Sequence, residues 1–273
     1  MENIKVALCV IARLENKYIK EYVKYYKSLG FDKIFIYDNN RPEDNEKITD
    51  EISAYVDTGL VDVIDWPVFE GDAQLPAYQD CFDKHKDEYD WIAFFDSDEY
   101  LTYNGENFNI KEFLSNPLYN DFGGVAIPNY PYDDNDVIIN DSKSRLTVYT
   151  KPSENKNIVY IYKTIVKCKN NNVIFNSPKS TGFSLPYMES KCICNYEGNL
   201  INWNELRLFT YDGPIFIKNI KTGCIDDFIN IKQKRKWPNS NLNKNFNFDL
   251  FYFFQYNNFS EEKVNYYNTH IYK

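Results

Sequence analysis

The chain has 273 residues, with 31 basic and 40 acidic side chains and a formal net charge of −9 at pH 7. This length allows one large domain or two modest ones. The acidic balance disfavours nucleic acid and anionic membranes as partners, because both select clustered Lys and Arg, whereas it tolerates a bound cation. No stretch reaches the roughly 18 apolar residues of a membrane span, and the N-terminal residues do not resemble a signal peptide. We therefore expect a cytoplasmic chain without a transmembrane segment.

Four apolar strands alternate with three amphipathic helices up to residue 103. The strands are predicted at residues 5–12, 33–38, 60–66 and 91–95. The helices between them are predicted from Asn16, which would act as the cap, from Ile48, and from about Ala73. Such alternation predicts right-handed crossovers and a parallel sheet covered on both faces. Ligands of open α/β sheets gather outside the carboxyl ends of the strands, where Arg13, Asp38, Asp96 and Asp98 lie.

The rest of the chain is less regular, and the sheet is expected to become mixed. A helix is predicted at residues 110–116, followed by strands at 123–130, 145–150, 158–168 and 172–176. Residues 224–237 form a predicted helix with an apolar set that includes Ile225 and Phe228. The aromatic segment 246–259 is predicted to pack on the protein, with a membrane-surface or partner-binding segment as the alternative.

The stretch "WIAFFDSDEY" at residues 91–100 crowds three carboxylates after a buried strand. In strand geometry Asp96 and Asp98 would point to the same side, where like charges repel. A hard divalent ion such as Mg²⁺ or Mn²⁺ would relieve this repulsion and leave positions for substrate phosphates. The alternative is a turn in which the Asp side chains cap backbone amides. Nucleotide-sugar transferases and phosphoryl-transfer enzymes both place paired Asp after a strand, and the preceding three strand–helix units favour the transferase.

Several segments in this order resemble glycosyltransferase family 92, a group that includes bacterial capsule and lipopolysaccharide biosynthesis proteins of the GT-A fold. The resemblance lies in "CVIARLENKYIKEYVKYYKSLGFDKIFIYDNN", "GLVDVIDWP" and "QLPAYQDCFDKHKDEYDWIAFFDSDEYL", and it continues through "PNYPYDDND", "SRLT", "YKTIV", "CNYEG" and "IKNIKTGCIDDFINIKQKRKW". It covers residues 4–150 well and 160–236 in patches. The resemblance implies a GT-A fold, in which a Rossmann-like, mostly parallel sheet is flanked by helices and becomes mixed in the C-terminal half.

The resemblance also assigns roles to individual residues. Five residues would line or flank the nucleotide pocket: Arg13, Glu15, Asp38, Gln74 and Tyr78. Asp96 would contact the ribose or reach Mn²⁺ or Mg²⁺ through water, and Asp98 would be the direct metal ligand. Each has a structural alternative: Asp38 would form an Asx-turn, Tyr78 would belong to the core, and Arg13 and Glu15 would form an exposed ion pair worth less than about 1 kcal/mol.

The implied chemistry is inverting transfer, in which a carboxylate deprotonates the acceptor hydroxyl that attacks the anomeric carbon. Asp134 is the candidate base, with Asp133 and Asp136 as rivals, and an acidic solvated loop is the structural alternative. Three basic residues match family positions that would hold phosphate or an acidic acceptor: Lys163, Lys221 and Arg235. Arg235 also suits the end of a helix, where the macrodipole favours a cation.

Two departures from the family pattern concern the metal. The histidine of the closing motif is Asn219 here, and the chain has only His85 and His270. His85 is predicted to lie on the surface, whereas His270 would be either a late metal ligand or part of a frayed terminus. A homologue that binds nucleotide sugar or carbohydrate without turnover is therefore one alternative, and a metal-dependent phosphohydrolase or nucleotidyltransferase is another.

The function expected from these observations is transfer of a hexose from a nucleoside-diphosphate sugar, with UDP as the expected nucleotide. The acceptor would be a glycan or a lipid-linked saccharide at the inner face of the membrane, with peripheral association of the enzyme. The expected organisation is one domain over residues 1–273. Its nucleotide-binding half would span 1–103, its acceptor half 104–240, and its aromatic C-terminal element 241–273.

Overall fold

The structure is a computed structural model that describes residues 4–69, 73–154, 161–169, 174–175, 193–194, 208–234 and 252–270. Arg235, the end of the helix predicted at 224–237 and the first part of the aromatic segment lie outside these residues. The chain forms two compact units. The first comprises Met1–Asn129 and Tyr160–Ile217, and the second comprises Tyr130–Val159 and Lys218–Lys273. The organisation as one domain with two halves stays a prediction.

The N-terminal strands and helices form in the predicted order. Their bounds are β1 Val6–Ala12, α1 Asn16–Ser28, β2 Lys33–Asp38, α2 Ile48–Asp57, β3 Val61–Asp65, α3 Gln74–His85 and β4 Trp91–Phe94. The predicted Asn16 cap is wrong, because Asn16 is the first helical residue. Its side-chain Nδ2 instead donates to the Lys47 carbonyl at 2.9 Å. Gly30 follows α1 with a φ of 92°, a left-handed conformation that suits glycine after a helix.

The later elements are β5 Glu99–Tyr103, α4 Ile110–Leu114, β6 Gly124–Pro131, β7 Ile161–Lys167, β8 Ile174–Phe175, β9 Ile193–Cys194, β10 Leu208–Thr210 and β11 Ile215–Asn219. Nine of the described strands form one sheet in the order β3-β2-β1-β4-β7-β6-β11-β5, with β10 paired to β6. The first four strands in this order are parallel, and β7 runs antiparallel to both β4 and β6. The predicted fold class, an α/β sheet that becomes mixed, is confirmed.

The core of the first unit follows from the side-chain periods. Alternate strand residues meet one face of α3 and are buried together: Ala7, Cys9, Phe35, Tyr37, Ala77, Tyr78, Cys81, Phe82, Ile92 and Phe94. A strand directs every second side chain to one face, whereas a helix does so at intervals of three and four residues. The amphipathic pattern predicted for α3 is therefore confirmed by its packing.

One predicted later strand is wrong, and two observed strands were not predicted. Residues 145–150 form a turn instead of a strand, and the Tyr149 amide donates to the Arg145 carbonyl at 3.0 Å. The Tyr149 hydroxyl donates to Asp227 at 2.7 Å, so this segment is fixed by a distant buried carboxylate and not by a strand partner. Strands β5 and β11, which pair with each other, were not predicted.

The second unit has its own aromatic core. Helix α5 spans Ile225–Asp227 and continues as a π-helix over Phe228–Gln233, and helix α6 spans Glu261–His270. The core consists of Ile225, Phe228, Ile229, Phe253 and Tyr267. Phe253 and Tyr267 are completely buried, which supports the predicted packed role for the described part of the aromatic segment. Phe259 is the exception, with 71% of its surface exposed.

Candidate active site

The sheet order places a topological switch point between β1 and β4, where a ligand crevice is expected. From β1 the chain passes through β2 to β3 on one side, and β4 then pairs with β1 on the other side. Ligands of open α/β sheets bind where the connections from two neighbouring strands diverge in this way. Arg13 follows β1 and residues 96–98 follow β4, so the predicted site residues lie at this position.

Three carboxylates converge after β4 in what we call the carboxylate turn, residues 96–99. One oxygen from each of Asp96, Asp98 and Glu99 lies within 4.8 Å of the other two. The expected strand geometry is wrong, because β4 ends at Phe94. A turn follows instead, in which the Glu99 amide donates to the Asp96 carbonyl at 3.0 Å. This turn brings Glu99 into the group, although Glu99 was not among the predicted ligands.

Hydrogen bonds from α3 and from β7 hold the Asp96 side chain. On the α3 side, Gln74 Nε2 donates to Asp96 Oδ1, and the Tyr78 hydroxyl lies 3.2 Å from the same oxygen. Gln74 Nε2 also donates to the Tyr78 hydroxyl at 2.7 Å. From β7, Lys163 Nζ donates to Asp96 Oδ2 at 2.9 Å. The structure therefore brings Gln74, Tyr78 and Lys163 to the carboxylate turn.

Lys163 is an internal cation of this group. Its Nζ lies 3.0 Å from Glu99 Oε1 as well as 2.9 Å from Asp96 Oδ2. Burial lowers the pKa of Lys163, but the charges of Asp96 and Glu99 outweigh burial and raise the pKa above its ordinary value. Burial raises the pKa of Glu99, and the charge of Lys163 opposes that rise. The ammonium predicted to hold phosphate is thus engaged by two carboxylates.

Helix α1 anchors the backbone around Glu99. The Tyr26 hydroxyl donates to the Glu99 carbonyl at 2.8 Å and accepts from the Leu101 amide at 3.1 Å. The Tyr25 hydroxyl donates to the Leu101 carbonyl at 2.6 Å. The ring of Tyr100 packs edge-on against Tyr25, with a centroid separation of 5.4 Å. Tyr26 therefore fixes the backbone of the carboxylate turn at Glu99.

The turn after β1 is buried and conformationally restrained. Arg13 forms two bonds to Asp44, from Nε at 2.7 Å and from Nη2 at 2.9 Å. Burial opposes ionisation of Asp44, but the hydrogen bonds and charges of Arg13 and Arg41 together outweigh it and lower the pKa of this carboxyl. Leu14 has a φ of 57°, a left-handed conformation that costs a branched residue about 1–2 kcal/mol. Glu15 has no exposed surface, so the exposed Arg13–Glu15 ion pair given as the alternative is wrong.

Asp38 at the end of β2 bonds to the backbone. Its Oδ1 accepts from the Asn40 amide at 3.0 Å, and its Oδ2 accepts from the Ile48 amide at 3.0 Å. The first bond is the Asx-turn given as the structural alternative, and the second satisfies the first amide of α2. A place for Asp38 in a nucleotide pocket stays a prediction.

In the second unit, Asp134 belongs to a buried ion pair. Lys263 Nζ lies 2.8 Å from Asp134 Oδ2, and both side chains are 1% exposed. Burial raises the pKa of Asp134, and bonding to Lys263 opposes the rise. The rival Asp133 is also buried. The side chain of Asp136 is 60% exposed and lies 3.2 Å from Lys263 Nζ.

The remaining predicted basic residues and the family histidine position also lie in the second unit. Lys221 is half-buried, and Arg235 lies outside the described residues. Asn219, which replaces the family histidine, is 4% exposed at the end of β11. Its carbonyl accepts from the Tyr132 amide at 2.8 Å.

Both histidines pack against aromatic rings. His85 stacks on Phe35 with a centroid separation of 3.9 Å, and 20% of its side-chain surface is exposed. His270 ends α6 and stacks on Tyr266 at 4.0 Å. Within the described residues, neither histidine belongs to the group formed by the three carboxylates.

The carboxylate turn fits a hard divalent cation. Its ligands are carboxylate oxygens, which suit Mg²⁺ and Mn²⁺. The donor set therefore suits a metal held through oxygen atoms.

Comparison with known proteins identifies the family. The family model of glycosyltransferase family 92 matches residues 4–270. The chain belongs to glycosyltransferase family 92. A family 92 protein of Oryza sativa subsp. japonica is 26% identical over 113 residues, which cover 41% of this chain and 18% of that protein. A family 92 protein of Arabidopsis thaliana is 30% identical over 99 residues, which cover 36% of this chain and 16% of that protein.

Membership in glycosyltransferase family 92 confirms the predicted resemblance and supports the prediction that the chain is a glycosyltransferase. The chain spans less than a fifth of the length of the two plant relatives, 18% and 16%. Among solved structures, TarS of S. aureus matches with a TM-score of 0.47 and 14% identity, over 88% of this chain and 40% of that chain. No helix within the described ranges is long and apolar enough to cross a membrane.

Proposed function

We propose that this family 92 chain is an inverting glycosyltransferase that moves a hexose from a nucleoside-diphosphate sugar to a glycan or a lipid-linked saccharide. The observation that carries the proposal is the carboxylate turn at the carboxyl edge of the parallel strands, at the switch point between β1 and β4 where a ligand crevice is expected. The proposed nucleotide is UDP. The proposed setting is the cytoplasm, with peripheral association at the inner face of the membrane when the acceptor is lipid-linked.

Asp96 and Asp98 would hold Mn²⁺ or Mg²⁺. Such an ion neutralises a diphosphate leaving group when it is bound. The chain's own contribution is to orient these two carboxylates. Gln74 and Tyr78 fix one oxygen of Asp96 from α3, and Lys163 binds the other oxygen from β7. A donor bound at the switch point between β1 and β4 would then meet carboxylates that require little rearrangement.

The acceptor hydroxyl needs a carboxylate to remove its proton. Asp134 is the proposed base, although its pairing with Lys263 at 1% exposure limits its access to an acceptor. Asp136 is the competing choice because its side chain is 60% exposed. Comparison of D134N with D136N addresses this point: the variant that lacks the base should lose about 100-fold or more in kcat with a smaller change in KM.

The test of the function is release of nucleoside diphosphate from a panel of nucleotide sugars, with and without Mn²⁺ and with candidate saccharide acceptors. We expect metal-dependent release from at least one donor, and a loss of about 100-fold or more in D98N, whose amide is a poorer ligand than a carboxylate. An active D98N variant would contradict metal binding at this position. Donor binding without release would identify a binding homologue, and release of phosphate without sugar transfer would identify a phosphohydrolase.

A further inference from the structure

The loop between β2 and α2, residues 39–47, is bonded to the turn that follows β1, and we call it the β2 loop. The side-chain oxygen of Asn40 accepts from the Leu14 amide at 2.7 Å. Asp44 accepts two bonds from Arg13, from Nε at 2.7 Å and from Nη2 at 2.9 Å. The β2 loop therefore holds both the backbone and a side chain of the turn after β1.

The β2 loop is also bonded to the segment that follows β3. Asn39 Nδ2 donates to the Trp66 carbonyl at 2.7 Å and to the Val68 carbonyl at 2.9 Å. Arg41 Nη2 donates to the Phe69 carbonyl at 2.9 Å. The carboxyl ends of three neighbouring parallel strands, β1, β2 and β3, are thus joined at the edge where ligands of open α/β sheets bind.

The charged contact in this arrangement is the pair formed by Arg13 and Asp44. Their side chains are only 10% and 8% exposed, so solvent screens their attraction little. Two nitrogens of Arg13 meet the two oxygens of Asp44, the paired geometry in which such bonds are strong and directional. Because Asp44 neutralises the guanidinium at this distance, Arg13 offers little net charge to an anionic ligand.

The residue next to Arg13 is in a strained conformation that needs such support. Leu14 has a φ of 57°, in the left-handed region that branched residues rarely adopt. Conformations of this kind persist only where surrounding contacts hold them, and they cluster at ligand sites. The bonds from Asp44 to Arg13 and from Asn40 to the Leu14 amide are such contacts.

We propose that Arg13 and Asp44 are positioning residues, which hold the turn after β1 in the conformation that binds the nucleotide, and that Arg13 does not bind the diphosphate directly. Asp44 was not among the predicted site residues. The inference rests on the nucleotide binding of the proposed function. Loss of either charge should have the same consequence, because each removes the same contact. A direct phosphate ligand would behave differently, since removal of Asp44 would release the guanidinium for the diphosphate.

Binding of UDP and of the neutral nucleoside uridine to the full chain, with Mn²⁺ present, tests this inference. Calorimetry gives the dissociation constant for UDP, and ligand-observed nuclear magnetic resonance gives that for uridine. If the wild type prefers another nucleoside diphosphate, that nucleotide and its nucleoside take their place. The variants are R13M, D44N and R13M/D44N. Matched controls are K84M and D83N, which each remove one charge from α3 at side chains that are 60% and 55% exposed.

R13M and D44N should each weaken UDP binding about tenfold, although they change the net charge in opposite directions. Uridine binding should weaken by a similar factor, because the nucleoside meets the same displaced turn. The double variant should bind UDP within about twofold of the single variants, since both substitutions remove one contact. K84M and D83N should leave both affinities unchanged. Circular dichroism establishes that each variant is folded.

Tighter or unchanged UDP binding by D44N would overturn the inference, as would a loss of UDP binding without a loss of uridine binding in R13M. The second result would identify Arg13 as a direct phosphate ligand. If one single variant does not fold, the other decides by its own criterion, and D44N decides if uridine binds too weakly to measure. Absence of nucleoside diphosphate binding by the wild type would overturn the proposed function together with this inference. Binding by the wild type that neither variant alters would overturn this inference alone.

Discussion

Replacement of Lys263 by Met should destabilise the second unit strongly. Lys263 is 1% exposed, and its Nζ lies 2.8 Å from the equally buried Asp134. Removal of one partner of a buried ion pair costs about 3–5 kcal/mol, because the other charge stays buried without compensation. The contact with Asp136 should add little, since that carboxylate is 60% exposed and screened by solvent.

Urea unfolding followed by circular dichroism measures the effect of K263M. With an m value of about 2 kcal/mol per molar urea, a loss of about 3–5 kcal/mol lowers the midpoint by about 1.5–2.5 M. Hydrogen exchange should place the loss in α6 and in residues 132–136. The D134N/K263M double variant is the control, because it leaves no unpaired charge and should recover most of the loss. A midpoint shift below about 0.5 M, or no recovery in the double variant, would refute the reasoning.

The effect of K263M should also depend on pH. Burial raises the pKa of Asp134 above its unfolded value, and removal of Lys263 takes away the group that opposes this rise. A carboxyl group with a raised folded-state pKa favours folding when it is protonated, and this contribution is lost as the pH rises through the folded-state pKa. The destabilisation by K263M should therefore be smaller at about pH 5 than at about pH 7.5. Equal losses at both pH values would show that Asp134 does not carry the unpaired charge.

Two further predictions concern buried polar groups. Y26F keeps the ring but removes the hydroxyl that bridges the Glu99 carbonyl and the Leu101 amide. Urea unfolding should therefore show a loss of about 1–3 kcal/mol in the free energy of unfolding. An unchanged midpoint would contradict this anchoring role. Burial raises the pKa of Cys224 to about 11. Iodoacetamide should therefore alkylate this thiol more than about tenfold faster in urea than in the native protein at pH 8. Equal rates would contradict its burial.

Local patterns predicted the elements whose partners are near in sequence. The helical spacing of apolar residues identified α1 and α2, and the apolar runs identified β1 to β4. Strand β5 was missed because it follows the carboxylate turn without a break and pairs with β11, more than one hundred residues later. Residues 145–150 alternate like a strand, yet Tyr149 bonds to Asp227, a contact that no local pattern indicates.

The family resemblance singled out residues that the fold brings together. Gln74, Tyr78 and Lys163 lie next to Asp96, and their roles in binding a nucleotide sugar stay predictions. Glu99 stood in the same stretch of sequence, but strand alternation would have placed it on the opposite face from Asp96. Only the turn that begins after Phe94 reverses this expectation.

The ion-pair partner of Asp134 could not be predicted from the sequence for another reason. Lys263 lies 129 residues later, in the aromatic C-terminal element that was predicted only to pack on the protein. A lysine between aromatic residues gives no local signal of burial, because such a residue is ordinarily exposed. Contacts of this kind depend on the tertiary fold, and the sequence alone therefore assigned Asp134 a chemical role without its counter-ion.

The two buried groups of charged residues differ in their expected effects on stability and binding. Asp134 and Lys263 satisfy each other in the interior of the second unit, so their loss should appear mainly as instability. At the carboxylate turn, Asp96 and Glu99 share Lys163, and Asp98 brings a third carboxylate close to both. Carboxylates this close repel one another, and such a group at the carboxyl edge of a parallel sheet is typical of a binding site. D98N should accordingly weaken Mn²⁺ binding, because an amide is a poorer ligand for a hard cation than a carboxylate.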